Sequence, residues 1–312
     1  MNISVIGPGA VGGYYGALLV RAGFEVHFLF HSDFEHVKNQ GLYVESINGD
    51  IKLSRIHAHA APEDMPVCDI AIIALKTTEN HLLPDILPQV VRPDGTVVLL
   101  QNGLGAEASV QAVLPYAAVL GGLCFLCSNK IGPGRIRHLD YGSIRMAQYG
   151  PAGRAAGITP QLETVTGLFH RAGIQVGMAG DLGCARWEKL VWNMPFNGLC
   201  VILNAMTSDL VFSDPATVLL RSVMLEVIGA ARSCGYGIEP EFADEMIAAT
   251  RKMVSYKPSM KLDYETGRKP ETGAIYRYPV EAAAAAGFNM SQCRVLLHQL
   301  EYLDRQNRNL SS

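Results

Sequence analysis

Asn2-Ile3-Ser4-Val5-Ile6-Gly7-Pro8-Gly9-Ala10-Val11-Gly12 decides how the rest of the chain is read. Asn2–Ile6 is a short apolar strand pattern that runs directly into the glycine-rich turn; Tyr14 to Ala22 then reads as a helix, and Glu25 to Phe30 as a second strand. A GxGxxG alone is a weak signal. Placed between a strand and a helix, and closed by a second strand, it is the fingerprint of a dinucleotide-binding turn. Gly7 allows the tight turn, Gly9 lets a pyrophosphate approach the backbone, and Gly12 lets helix and strand pack closely, with Pro8, Ala10 and Val11 completing the loop. A glycine-rich turn without a ligand is the competing reading.

The end of the second strand should announce the cofactor, because an acidic side chain there grips a ribose 2′-hydroxyl and a basic one accommodates a 2′-phosphate. The sequence reads Phe30-His31-Ser32-Asp33. His31 and Ser32 are candidate phosphate contacts, whereas Asp33 fits equally well as the cap of a helix beginning Phe34-Glu35-His36. Two further strand patterns, Cys68–Leu75 and Thr96–Leu100, are apolar on both faces, as central parallel strands are. The first ends at Lys76 and the second at Gln101-Asn102-Gly103-Leu104-Gly105. Ligands of open parallel sheets bind beyond the carboxyl ends of the strands, so Gly7–Gly12, His31, Lys76 and Asn102 are expected at one crevice. Taken singly, Lys76 reads as a solvated loop lysine and Asn102-Gly103 as a turn.

Val119–Phe125, Arg135–His138 and Ser143–Gln148, punctuated by Gly132-Pro133-Gly134 and Asp140-Tyr141-Gly142, predict three antiparallel strands. A helix from Thr159-Pro160 to Ala172 and a strand over Ile174–Met178 complete the first domain, residues 1-178. Ala179-Gly180-Asp181 reads as the hinge. Residues 179-312 are then nearly all helical, with helices over Ala216–Ser233, Pro240–Met253, Tyr278–Ala286 and Ser291–Asn307, and Asp214-Pro215 as a cap followed by proline at the first helical position. The fold class is α/β: a Rossmann-type dinucleotide-binding domain followed by an all-helical C-terminal domain.

Composition narrows the function. With 49% hydrophobic and 18% charged residues the chain is ordinary globular protein, and a net charge of -3 without any Lys/Arg-rich run argues against nucleic acid. No apolar run reaches the length of a membrane span, and no signal peptide is read at the N-terminus. Seven cysteines, an odd number without metal-ligand spacing, point to a reducing cytoplasm and no metal; Cys124 and Cys127 form a CxxC inside a strand pattern and read as packing residues.

Within Arg186–Asn204, Lys189, Asn193 and Asn197 fall on one helical face, hemmed in by Leu190, Val191, Trp192, Met194 and Phe196. Such a lysine is a candidate proton donor; an ordinary helix turning these side chains to solvent is the alternative. Pro195 predicts a kink between Lys189 and Asn197. Pro258 to Glu271 is polar, holds two prolines and a glycine, and reads by composition as a surface loop.

The GPGAVG turn, Lys76, the QNGLG loop, the Lys189…Asn193…Asn197 helix and the Ser259-Met260…Asp263…Gly267-Arg268…Glu271 segment together resemble ketopantoate reductases over essentially the full chain. The resemblance implies a helical domain of the 6-phosphogluconate dehydrogenase type serving substrate and dimerisation, with a homodimer as one candidate assembly. It implies NADPH as cofactor, Lys189 as general acid, Asn102, Asn193, Asn197 and Ser259 as substrate ligands, and Glu271 in the same active site. The cofactor residues it implies are Gly7, Pro8, Gly9, Ala10, Val11, Gly12, His31, Ser32, Lys76, Asn102 and Glu271. Arginine is frequent in the family where His31 stands, which leaves NADH open, and Glu271-Thr272-Gly273 departs from the usual Glu-Ile-Asp. The expected activity is reduction of ketopantoate to pantoate. Rival readings are a reductase of a related 2-oxo acid and a non-catalytic dinucleotide sensor, which need not keep Lys189 or the asparagines.

Overall fold

The computed structural model describes residues 1–311, which divide into two compact units: Met1–Gln101 with Ala106–Leu182, and Asn102–Gly105 with the chain from Gly183 onward. The first unit contains β1 (Asn2–Ile6), α1 (Ala10–Arg21), β2 (Glu25–Leu29), α2 (Phe34–Gln40), β3 (Leu42–Ser46), β4 (Ile51–Leu53), β5 (His57–His59), β6 (Cys68–Ile73), α3 (Leu83–Val90), β7 (Val91–Leu99), α4 (Ala106–Val113), β8 (Ala118–Gly132), β9 (Arg135–Gln148), α5 (Pro160–Arg171) and β10 (Val176–Met178). They build one ten-stranded sheet in the order β4-β3-β9-β8-β7-β6-β1-β2-β5, with β10 against β9. Neighbours from β8 through β2 are parallel, which puts the carboxyl ends of β1, β2, β6 and β7 on one edge.

Strand β1 shows why the sheet is covered on both sides. Ile3 and Val5 are buried with Tyr15, Leu18 and Leu19 of α1 and Leu162, Val165 and Phe169 of α5, whereas Ile6 joins Leu83 and Leu87 of α3 and Val110 of α4. Alternate side chains of one strand therefore feed two cores, as the doubly apolar strand patterns require. Helix α1 starts at Ala10, ahead of the Tyr14 expected from periodicity. Its glycines lower helix propensity, but packing overrides this: a Cβ on Gly12 would stand 2.7 Å from the Cβ of Ala74.

The antiparallel addition is two long strands and not three. Asp140-Tyr141-Gly142 does not turn the chain; it forms a bulge, with Leu126 opposite Tyr141 and Phe125 opposite Ser143, so that Gly142 is the extra residue. Tyr141 and Gly142 take φ of 61° and 131°, which bends β9 without ending it.

The second unit contains α6 (Leu182–Ile202), α7 (Thr207–Val211), α8 (Asp214–Ser233), α9 (Phe242–Arg251), α10 (Ser259–Glu265), a π-helical turn (Gly273–Arg277), α11 (Tyr278–Ala285) and α12 (Ser291–Ser311). Its core gathers Trp187, Leu190, Val191, Met194 and Phe196 of α6 with Val223, Met224 and Val227 of α8 and Leu297 and Leu300 of α12. Pro195 lies inside α6, which continues as a helix to Ile202. In the same turn the buried Tyr276 phenol donates to the Met194 carbonyl. The cap of α8 falls at Ser213, one residue before the expected Asp214.

The segment from Pro258 to Glu271 is not a surface loop. It contains α10, whose Met260, Lys261 and Asp263 are buried, and Pro270 and Glu271 beyond it are buried as well. Its polar residues are used internally: Lys261 donates to Asn204 Oδ1 at 2.7 Å, and Arg268 pairs with Asp263 at 3.1 Å. Polar composition indicated solvent here because the Lys261 partner lies 57 residues away in sequence.

Candidate active site

Gly7 has φ +80°, and a Cβ on it would stand 2.6 Å from the Leu75 backbone nitrogen, so no other residue fits without displacing the chain that leaves β6. Gly9 is different. It precedes α1, no side chain caps that helix, no acid stands in its first turn, and nothing lies within 4 Å of where a Gly9 Cβ would project. The first N–H groups of α1 are thus left to an anion, with open space above the backbone for it. That arrangement fits the pyrophosphate of a dinucleotide. Gly9→Ala is expected to leave the thermal unfolding midpoint near wild type while weakening dinucleotide binding roughly tenfold, as read by calorimetric titration. Unchanged affinity would remove the turn from the binding site.

At the end of β2, His31 and Ser32 are exposed. Asp33 is buried and holds the N-cap position of α2, but its side chain makes no capping bond; its carboxylate accepts the Lys130 ammonium at 2.6 Å, the Ser32 hydroxyl at 3.1 Å and the Gly134 N–H at 3.0 Å. Burial pushes this carboxyl up, but the hydrogen bonds from Lys130 and Gly134 outweigh it and hold the group below the usual carboxylate range. Lys76 follows β6 with its Nζ buried, unlike a solvated loop lysine. Gln101 closes the end of β7 by donating to the Leu75 carbonyl at 2.8 Å and to Asn80 Oδ1 at 2.6 Å. Gly7–Gly12, His31, Ser32 and Lys76 therefore all follow strands of the same parallel sheet edge.

Asn102 belongs to the helical unit. Gly103, with φ +82°, presses against that unit so closely that a Cβ would come 2.2 Å from the Ala274 carbonyl oxygen, which also accepts the Leu104 N–H at 3.0 Å. Glu271 is 8% exposed and its carbonyl accepts the Ile275 N–H at 3.1 Å. The loop that carries Asn102 and the residue Glu271 thus meet the same π-helical turn, through Gly103 and Leu104 on one side and the Glu271 carbonyl on the other, an association with no local sequence signal.

On α6, Lys189 is half-buried, Asn193 is 6% exposed and Asn197 is 2% exposed, so neither asparagine faces solvent. The Asn197 amide is used at both ends: Nδ2 donates to the Asn193 carbonyl at 2.9 Å, and Oδ1 accepts the Met260 N–H at 3.1 Å. It clamps the first turn of α10 to α6 and so places Ser259, which is exposed and precedes Met260. Residue spacing put Lys189, Asn193 and Asn197 together, but the bond to Met260 is out of its reach. One unit thus offers an anion cradle and the other an ammonium, amides, a hydroxyl and a buried carboxylate. Among the described residues no group of three or more His, Cys, Asp or Glu side chains could hold a metal ion, and no helix is long and apolar enough to cross a membrane.

A doubly wound sheet with an anion-ready turn, followed by a helical unit bearing these polar groups, defines a dinucleotide-dependent oxidoreductase. The chain belongs to the ketopantoate reductase family: the family described as Ketopantoate reductase PanE/ApbA matches residues 3–151, and its C-terminal counterpart matches residues 181–303. The 2-dehydropantoate 2-reductase of Nostoc sp. is 46% identical across 98% of this chain and 96% of its own. The crystal structure of 2-dehydropantoate 2-reductase from Geobacter metallireducens GS-15 is similar with a TM-score of 0.92 and 38% identity, covering 97% of this chain and 99% of that one. A D-mandelate dehydrogenase solved with NADH and anilino(oxo)acetate shares the fold at a TM-score of 0.86 and 19% identity, covering 98% of this chain and 99% of its own.

Proposed function

We propose that the chain reduces ketopantoate to pantoate with NADPH, Lys189 being the proton donor. Residues 1-178 hold the cofactor through Gly7–Gly12, His31, Ser32 and Lys76, joined by Asn102 and Glu271, and residues 179-312 hold the substrate. The observation that carries the reading is the polar ladder of α6, where a half-buried lysine stands one turn from a buried asparagine and two turns from another, flanked by the buried Leu190, Val191, Met194 and Phe196. Family membership across both units supports it.

NADPH, when bound, supplies hydride to the carbonyl carbon of the 2-oxo acid, and negative charge then develops on the carbonyl oxygen. Lys189 gives that oxygen its proton. Asn102 and Asn193 orient hydroxyl and carbonyl groups, since neutral amides donate and accept without competing for the proton. Ser259 donates to the substrate carboxylate. Glu271 accepts from donors: a substrate hydroxyl or the Lys189 ammonium.

Oxidation of NADPH and of NADH, each followed with ketopantoate and a panel of other 2-oxo acids, tests this. The expected result is the highest kcat/KM for ketopantoate with NADPH. Because Glu271-Thr272-Gly273 departs from the usual family pattern on the substrate side, a higher value with another acid would move the reading to a related 2-oxo acid reductase. Absence of turnover with every acid defeats both.

A further inference from the structure

Strand β8 passes the dinucleotide turn and then reaches the end of β2. The Ser128 hydroxyl donates to the Ala10 carbonyl at 3.2 Å, and two residues on, Lys130 meets Asp33 at 2.6 Å. Residues two apart on a strand share a face, so one face of β8 runs from the pyrophosphate turn to the point where a Rossmann-type site reads the adenosine ribose.

Two of the groups exposed at that point, His31 and Lys130, bring donors for a ligand, while the single O–H of Ser32 is spent on Asp33. His31 and Ser32 are exposed, and the Lys130 side chain is 39% exposed against 8% for Asp33. Both Asp33 oxygens are engaged, Oδ1 by Lys130 and Ser32 and Oδ2 by the Gly134 N–H. The carboxylate is therefore not offered to a ribose diol. It gathers the ammonium and the hydroxyl around one oxygen, and an ammonium with three N–H donors, one spent on Asp33, keeps two.

We propose that Lys130 is a specificity-determining residue for the cofactor, binding the 2′-phosphate of NADPH beside Ser32 and His31. The proposal rests on the NADPH reading above. Because Asp33 balances the charge of Lys130, selection works through directed, charge-assisted hydrogen bonds more than through net charge. The cation that a basic residue at the end of β2 would supply comes instead from a strand 97 residues away.

The test is calorimetric binding of NADP+ and NAD+, which differ only in the 2′-phosphate. Wild type is expected to prefer NADP+. Lys130→Met should weaken NADP+ roughly 10- to 100-fold and leave NAD+ within about twofold, and Lys130→Arg should restore most of the difference. Asp33→Asn, which frees the ammonium while keeping an acceptor for Gly134, should raise the NADP+ preference. Equal losses for both nucleotides in Lys130→Met, or a lower preference in Asp33→Asn, overturn the role of Lys130 while leaving the NADPH reading intact. A wild-type protein that binds NAD+ as tightly as NADP+ overturns both.

Discussion

Lys189→Ala is expected to lower kcat by roughly 10²- to 10⁴-fold, the usual contribution of a positioned proton donor, with little change in the dissociation constant of NADP+. The reasons lie in what the side chain does and does not hold. Proton donation matters only as charge develops on the carbonyl oxygen, so its loss falls on the chemical step more than on binding. The groups proposed to bind the dinucleotide phosphates lie in the other unit, after β1, β2 and β6 and on β8. Lys189 is also half-buried, whereas its neighbours Trp187, Leu190 and Val191 are fully buried, so truncation leaves the α6 core in place. Lys189→Arg separates charge from proton transfer. A guanidinium keeps the cation, but it holds its proton too tightly to give it up near neutrality. Recovery of turnover in the arginine variant would reduce Lys189 to an electrostatic role, and near-wild-type turnover in the alanine variant would remove it from the chemistry.

The parts legible in the sequence are those where one short stretch carries its own physical reason. The turn from Gly7 to Gly12 is of this kind, as are the doubly apolar strands and the one-turn spacing of Lys189, Asn193 and Asn197. The hairpin was only half legible: Gly142 signals a break in the strand, but a bulge and a turn use the same residue types, and only pairing with β8 separates them. Least legible were groups satisfied at long range. Asp33 reads locally as a helix cap because its true partners, Lys130 and Gly134, lie on β8 and next to β9. The segment around α10 reads as a solvated loop because Lys261 and Met260 find their partners on or just beyond α6. In each case a polar residue was assigned to water or to its neighbours, and the fold supplied a distant partner.

Asn197 is the position where that distinction has the largest consequence for stability. Its amide is 2% exposed and bridges the Asn193 carbonyl and the Met260 N–H, so Asn197→Ala leaves a buried donor without its acceptor. The expected cost is about 1–3 kcal/mol, seen as a lower midpoint in thermal or urea unfolding. The KM for substrate should rise with it, because the released N–H belongs to the residue after Ser259. Ser259→Ala is the control: that side chain is exposed, so it should raise KM without moving the midpoint. Asn197→Asp keeps an acceptor for Met260 but turns a carboxylate oxygen toward the Asn193 carbonyl. A buried, unpaired charge is worse than a missing amide. The folded-state pKa of that carboxyl is raised, so the extra loss should be absent below the unfolded aspartate value of about 4 and grow as pH rises above it. If Asn197→Ala raised KM at an unchanged unfolding midpoint, the residue would be a direct substrate ligand and not the clamp that positions Ser259.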